Sequence, residues 1–290
     1  MELRPATNED RAALTALAHR VASADGLPAV GEHLIPDLDE ADLGGGILAW
    51  EGADLVGAAV LVDLIDPGWW GLEVMLDPDH RGENLVAALV DRVLEGDSLE
   101  SGKGVRAWAH LDLVASALTT RGFRQRRAVQ QLGRSLPANP PEAVADVSWD
   151  PYREGDLSDL LGLHNRAFAG GGGAEGWTEV ELRRRMGLRW FRAEGLIICK
   201  QEGTPIGYCW TKRHSSAVGE IYVIAIDPGA AGRGLGRQLL RRGLEHLTGE
   251  GCERAIVYVD DQNRRAITLY ESEGFTLNRT ERVFERATSA

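Results

Sequence analysis

Apolar positions along the chain switch repeatedly between helical and strand spacing. After Thr7, a residue able to cap a helix, "NEDRAALTALAHRVA" places its aliphatic residues at helical intervals. "GILAWEGADLVGAAVLVDLI" then reads as two strands around a turn at Gly52 to Asp54. Downstream, "GLEVMLDPDHRGENLVAALVDRVL" (Gly71 to Leu94) predicts strand, Asp-Pro turn, loop and helix, and "VRAWAHL" and "ASALTTRGFRQRRAVQQL" add a strand, a short helix, a Gly-Phe turn and a strand. The same order returns after an offset of about 150 residues, the period of a duplicated domain. Thr178 and Glu181 form a capping-box pattern ahead of "EVELRRRM", and "GLIICKQEGTPIGYCWTKRH" is a hairpin turning at Glu202 to Thr204. "GEIYVIAIDPGAAGRGLGRQLLRRGLEHL", "RAIVYVD" and "NRRAITLYESEGFTLNRTERVFE" complete the second copy. The Pro- and Ala-rich "LPANPPEAVADV" (Leu136 to Val147) reads as the linker, predicting α/β domains over residues 1–139 and 140–290.

The second copy carries the candidate chemistry. In "IDPGAAGRGLGRQLL" (Ile226 to Leu240) a glycine-rich loop joins a strand to a helix, whose N-terminus favours an anion. Gly236 is followed by Arg237 and Gln238, so this is no Walker loop. Gly232, Gly234 and Gly236 put the third glycine one residue early for a dinucleotide fingerprint. A phosphate cradle and an ordinary glycine-rich helix cap both remain open on spacing alone.

Composition narrows the partners. The 290 residues are 43% hydrophobic, enough for proper cores, and a net charge of -12 argues against nucleic acid. Cys199, Cys209 and Cys252 lack metal-ligand spacing and read as reduced core residues, so no metal is expected. No run resembles a signal peptide or membrane span, and a cytoplasmic monomer acting on a small molecule is expected.

"AGRGLG" (Ala231 to Gly236) resembles the acetyl-CoA loop of the GNAT N-acetyltransferases, Gln/Arg-x-x-Gly-x-Gly/Ala, with Ala231 where Gln or Arg is usual. Asn263, Ala266, Tyr270, Gly274 and Phe275 match the family's next helix and Gly-Phe turn. The resemblance implies two tandem GNAT domains, each a mixed, mostly antiparallel sheet flanked by helices, with acetyl-CoA in the second. Gly232, Arg233, Gly234, Leu235, Gly236 and Arg237 would then hold the pyrophosphate, while Ile224, Ala225, Ile226 and Asn263 would meet the pantetheine. In the first copy Arg81 fits the loop, but Asn84 and Val86 replace both glycines and Arg121 precedes Gly122 and Phe123 with no tyrosine. That half resembles a lapsed copy.

"YCWTKRH", "YVDDQNRRAITLYESEGF", "RAWAH" and "HNRAFAG...GWT" resemble the mycothiol synthase family of tandem GNAT enzymes. The resemblance implies acetylation of the cysteinyl amine of a cysteine-glucosamine-inositol conjugate, the last step of mycothiol biosynthesis. It places the catalytic base at Glu220, which strand alternation sets on one face with Tyr222, Ile224 and Ile226, and the proton donor at Tyr270. Backbone amides from Val223 to Ile226 would face the developing oxyanion. Lys212, Tyr258, Glu220 and, from the first copy, Glu32 fall at substrate positions. Bland readings stand beside these: an exposed glutamate at a strand start, a packing tyrosine, a solvated lysine and an alternating strand aromatic. One stretch departs from the family, since "AGGGGAEG" replaces a His-Pro-Glu-Gln-Gly segment and leaves only Glu175 as a carboxylate. The alternatives are therefore another small amine or a protein N-terminus as acceptor, or a non-catalytic CoA-binding sensor.

Overall fold

The computed structural model of the chain describes residues 1–25, 45–64, 68–96, 102–169 and 176–287. It divides into two compact units, Met1–Ala128 with Glu281–Ala290, and Val129–Thr280.

In the first unit β1 (Glu2–Pro5), β2 (Ile47–Glu51), β3 (Asp54–Asp63) and β4 (Trp69–Leu76) pair antiparallel in chain order, and β4 lies parallel to β5 (Gly104–Ala109). Helices α1 (Arg11–Asp25), α2 (Glu83–Leu94) and α3 (Asp112–Thr120) complete it. Leu85, Leu89 and Val93 of α2 pack with Leu72, Val74 and Leu76 of β4 in one apolar cluster. The neighbour of β5 on its other side is not β6 (Arg124–Ser135), the next strand in the chain. It is the end of the last strand, β12 (Thr276–Arg286), in antiparallel register from Arg282↔Ala109 to Arg286↔Val105.

The second unit repeats the pattern with the complementary strand. β7 (Ser148–Pro151), β8 (Leu196–Gln201), β9 (Thr204–Arg213) and β10 (Val218–Ile226) are antiparallel, β10 is parallel to β11 (Arg254–Asp260), and β11 pairs antiparallel with β6. Each copy's closing strand therefore serves the other copy's sheet. The contact division accordingly falls at Ala128/Val129, upstream of the expected 139/140, and returns residues 281–290 to the first unit. The stretch expected to be a linker is held down within the second unit: the Leu136 amide donates to the Glu253 carbonyl at 2.8 Å and that of Glu142 to the Gln238 side chain at 2.6 Å.

Helices α4 (Leu157–Ala167), α5 (Glu179–Met186), α6 (Leu235–Gly249) and α7 (Arg264–Ser272) cover this sheet. The Thr178 and Glu181 capping box opens α5, as its spacing predicts. The β8–β9 turn places Glu202 and Gly203 at φ 49° and 81°, the positive pair that matches the twist of hairpin strands. Leu235, Leu239, Leu240, Leu244 and Leu247 make α6 amphipathic, and each burial contributes roughly 1.5–3 kcal/mol. The cysteines are free and buried. Among the described residues no helix is long and apolar enough to cross a membrane.

Gly243 on α6 faces the sheet, where a Cβ would stand 2.6 Å from Cys209 Sγ and 2.8 Å from Ile221 Cδ1. Alanine would normally stabilise a helix interior by about 0.5–1 kcal/mol, whereas overpacking a core costs about 1–3 kcal/mol. Crowding wins, so Gly243→Ala is expected to lower the midpoint of chemical denaturation.

Candidate active site

β10 is the strand on which the site is built. It follows β9 to its last residue, Ile226↔Gly207, but its pairing with β11 stops at Ile221↔Val257 although β11 continues to Asp260. Between Ile221↔Thr211 and Val223↔Trp210 one residue, Tyr222, is inserted as a β-bulge. Beyond it, among the described residues, the main chain of Val223 to Ile226 has no strand partner on the β11 side. Such an edge can pair with an extended amide-bearing chain.

The bulge corrects the expected alternation. Glu220 lies opposite Lys212, and Tyr222 and Val223 pack with Trp190 and Trp210, on the side away from α6. Ile224 and Ile226 instead pack with Ile221, Leu239 and Tyr270, on the α6 side. One extra residue reverses the parity of the strand, so Glu220 and Tyr222 do not share a face with Ile224 and Ile226.

Glu220 is no exposed strand-end glutamate; it is 6% exposed. Burial pushes its carboxyl up, but the hydrogen bond from His214, the charge on His214 and that of Lys212 outweigh burial and hold it below the ordinary value. His214 Nε2 is 2.6 Å from Glu220 Oε2. Lys212 is likewise buried, its Nζ 5.4 Å above the centre of the Trp190 ring. Trp190 packs edge-on against Tyr222 at 5.0 Å, and both meet Trp210, so an aromatic wall flanks the buried charges. A carboxylate kept ionised in this way can accept a proton.

Tyr258 lies on β11 one step beyond Val257, whose side chain joins the α6-side cluster, and so faces the other way. Its hydroxyl accepts a hydrogen bond from Gln131 Nε2 at 2.7 Å, while Asn278 donates to Gln131 Oε1 at 3.1 Å. Tyr270, on α7, is buried, which pushes its hydroxyl far up and keeps it protonated at neutral pH. Its ring packs against Phe275 at 5.7 Å. Glu220 and Tyr270 thus approach β10 from opposite faces.

The glycine-rich loop leaves β10 through Asp227, which is held by both of its oxygens. Asp227 Oδ1 accepts from the Gly229 amide at 2.9 Å and its Oδ2 from Arg166 Nε of α4 at 2.8 Å. Gly232 and Gly234 have φ of 83° and 78°, a conformation that L side chains rarely adopt. Ala231, Gly232 and Arg233 are exposed, Leu235 opens α6 into the core, and Gly236 makes only ordinary contact with Leu269. Arg233 donates to the neutral side chain of Gln201 at 2.8 Å, but Arg237 is paired with the carboxylate of Glu273 at 2.9 Å. Asn263 caps α7 through Oδ1, which accepts from the Ala266 amide at 3.1 Å; its amide NH₂ is not used in the cap.

The first unit's counterpart lacks these properties. Gly82, which precedes α2, has φ -154°, and Glu83 puts a carboxylate in the helix's first turn, where it opposes an anion. Arg81 is held by both carboxylate oxygens of Asp25 at 2.8 Å. Glu32, expected at the substrate, and the Gly170 to Glu175 stretch lie outside the described residues.

His214, Trp190 and Gln131 were missed by sequence reasoning. His214 stands in the quoted "WTKRH", but only closure of the β9–β10 hairpin carries it back to Glu220.

Comparison with known proteins shows a family and a fold. The Acetyltransferase (GNAT) family matches residues 157–275, the span containing α4, the loop, Glu220 and Tyr270. A mycothiol acetyltransferase of Thermobispora bispora is 37% identical over 285 residues, covering 93% of this chain and 94% of its own. A GCN5-related N-acetyltransferase from Sphaerobacter thermophilus superposes with a TM-score of 0.79 at 19% identity over 98% of this chain and 95% of that one. A tandem GNAT protein from the clavulanic acid biosynthesis pathway gives 0.71 at 16% identity, covering 100% and 99%.

The loop makes an asymmetric prediction. Gly234→Ala forces a side chain into left-handed backbone, at about 1–2 kcal/mol, and is expected to weaken acetyl-CoA binding roughly 5- to 30-fold by calorimetry. Gly82→Ala in the first unit, with extended backbone and nothing near its Cβ, should leave that affinity unchanged.

Proposed function

The chain belongs to the mycothiol acetyltransferase family, and from that premise we propose that it transfers the acetyl group of acetyl-CoA to the cysteinyl amine of a cysteine-glucosamine-inositol conjugate, the last step of mycothiol biosynthesis. It is an N-acetyltransferase with a small-molecule substrate. The proposal includes action as a cytoplasmic monomer. The observation that carries the reading is the buried, ionised Glu220 at the point where β10 leaves β11, with Tyr270 entering from the other face.

Acetyl-CoA, when bound, supplies the activated acetyl thioester. The structure fits it: positive-φ glycines at the N-terminus of α6 for a pyrophosphate, and an unpaired strand edge over Val223 to Ile226 for pantetheine amides. Gly232 to Arg237 with Ala231 would hold the phosphate end, and Ile224, Ala225, Ile226 and Asn263 the pantetheine. An alkyl ammonium must lose a proton before its lone pair can attack, and Glu220 takes it. Tyr270 donates a hydrogen bond to the departing sulfur. A thiol titrates near 8.5, so full transfer from this buried phenol is uphill and its contribution is that of a donor which keeps its proton. Lys212 and Tyr258, on the face of Glu220, meet the acceptor's polar groups.

A second reading, another small amine or a protein N-terminus as acceptor, is favoured by one observation, the replacement of the family's His-Pro-Glu-Gln-Gly segment by "AGGGGAEG". Incubation with acetyl-CoA and the conjugate, beside plain amines and peptides, separates the two when acetylated products are followed by mass. Turnover of a peptide amine without turnover of the conjugate would sink the first; acetyl-CoA binding without turnover of anything would leave a sensor. Glu220→Gln is expected to lower kcat by about 10²- to 10⁴-fold with acetyl-CoA affinity unchanged. Tyr270→Phe should cost roughly 10- to 100-fold in kcat, the worth of one hydrogen bond to a developing charge.

A further inference from the structure

The carboxylate of Glu220 has one oxygen already engaged. His214 Nε2 lies 2.6 Å from Oε2, and the two side chains are 15% and 8% exposed. This pairing is built into the hairpin. β9 ends at Arg213, the His214 amide donates to the Val218 carbonyl at 3.0 Å, and Ser215 Oγ accepts from the Ala217 and Val218 amides at 3.2 and 3.1 Å. A closed turn therefore fixes the backbone from which the imidazole reaches the carboxylate.

We propose that His214 is a positioning residue for the acetyl transfer: Nε2–H donates to Oε2 of Glu220, fixes the carboxylate plane and leaves Oε1 to take the ammonium proton. The inference rests on the reading of Glu220 as the base. In the step, one N–H bond of the substrate ammonium breaks and an Oε1–H bond forms. After attack the second N–H proton goes to the departing sulfur as the C–S bond breaks, so the thiol and the amide leave, and the Nε2 proton stays on His214 throughout. The proton on Glu220 then passes to solvent after product leaves.

Burial alone would keep a carboxyl neutral, and a neutral carboxyl cannot accept a proton. The groups facing Glu220 decide the balance. Lys212 lies directly across on β9. Ile256, its partner on β11, is apolar. The hydroxyls of Tyr222 on β10 and Tyr258 on β11 share the face, and the Trp190 indole covers Lys212. Lys212 adds a charge from across the ladder, while His214 supplies the bond to one defined oxygen and, when protonated, a second charge.

The test uses the full chain, with product followed by mass across a pH series and acetyl-CoA affinity measured by calorimetry. His214→Ala is expected to lower kcat near neutral pH roughly 10- to 100-fold, the worth of a charge-assisted hydrogen bond, and to move the acid limb of the kcat profile to higher pH. Part of the rate should return on the alkaline side, where the carboxyl ionises unaided. His214→Gln, whose side-chain amide can donate to Oε2, should recover much of the lost rate, and acetyl-CoA affinity should stay unchanged in both. A fall of equal size at every pH, or a glutamine variant no better than alanine, overturns the proposal. Glu220→Gln keeps the two failures apart. Should it retain full activity, the base reading falls and this inference with it; should it be crippled while His214→Ala matches the parent at every pH, only the role of His214 is lost.

Discussion

β10 must remain bonded to β9 over its whole length while it leaves β11 after Ile221, and the bulge at Tyr222 falls at the point where these two demands meet. A strand that twists away from a neighbour leaves main-chain donors and acceptors unpaired, a cost of about 1–3 kcal/mol for each that is buried without a partner. Here that open edge is the surface we propose for the pantetheine amides. The extra residue also turns Tyr222 and Val223 to the aromatic side and Ile224 and Ile226 to the side of α6. Placement of Glu220 apart from the apolar residues that follow it therefore depends on one inserted residue.

The charges grouped around Glu220 would be unstable separately. A buried carboxylate, a buried lysine and a histidine offset one another's desolvation only while they are held close together. The β9–β10 hairpin supplies that closeness through backbone register, with Lys212 across the ladder and His214 at the turn. Strands carry Glu220 and Lys212 and a hydrogen-bonded turn carries His214, which suits a function that needs fixed geometry. Tyr270 comes from α7, whose first turn is capped by Asn263. One asparagine thereby orders the helix that carries Tyr270, the donor we propose.

The two halves show how little change separates the glycine-rich loop of the second copy from its counterpart in the first. Both begin with an aspartate that caps a Pro-containing turn, Asp77 and Asp227, and each aspartate is held by an arginine from a preceding helix, Arg20 and Arg166. They part at the helix entry. Gly232 and Gly234 use left-handed backbone, whereas Gly82 is extended, Glu83 presents a negative charge and Arg81 is neutralised by Asp25.

Spacing alone was enough to read the duplication, the hairpins, the capped helices and the glycine-rich strand-to-helix junction, because each is a local pattern; the candidates Glu220 and Tyr270 came from the family that the surrounding motifs resemble. What stayed hidden depends on which segments meet. Exchange of β6 and β12 between copies leaves no trace in periodicity, since either strand satisfies either sheet edge equally well by composition. The bulge is one residue in an otherwise regular apolar run, and alternation counted across it assigns the wrong face. His214 is close to Glu220 only because the hairpin folds back, and the pairing of Arg237 with Glu273, just past α7, is displayed by no motif. By itself the sequence determined the elements and the chemical groups available to them. Tertiary structure decided which groups are buried together and therefore which are charged, since desolvation and Coulomb attraction act through distances that chain order does not specify.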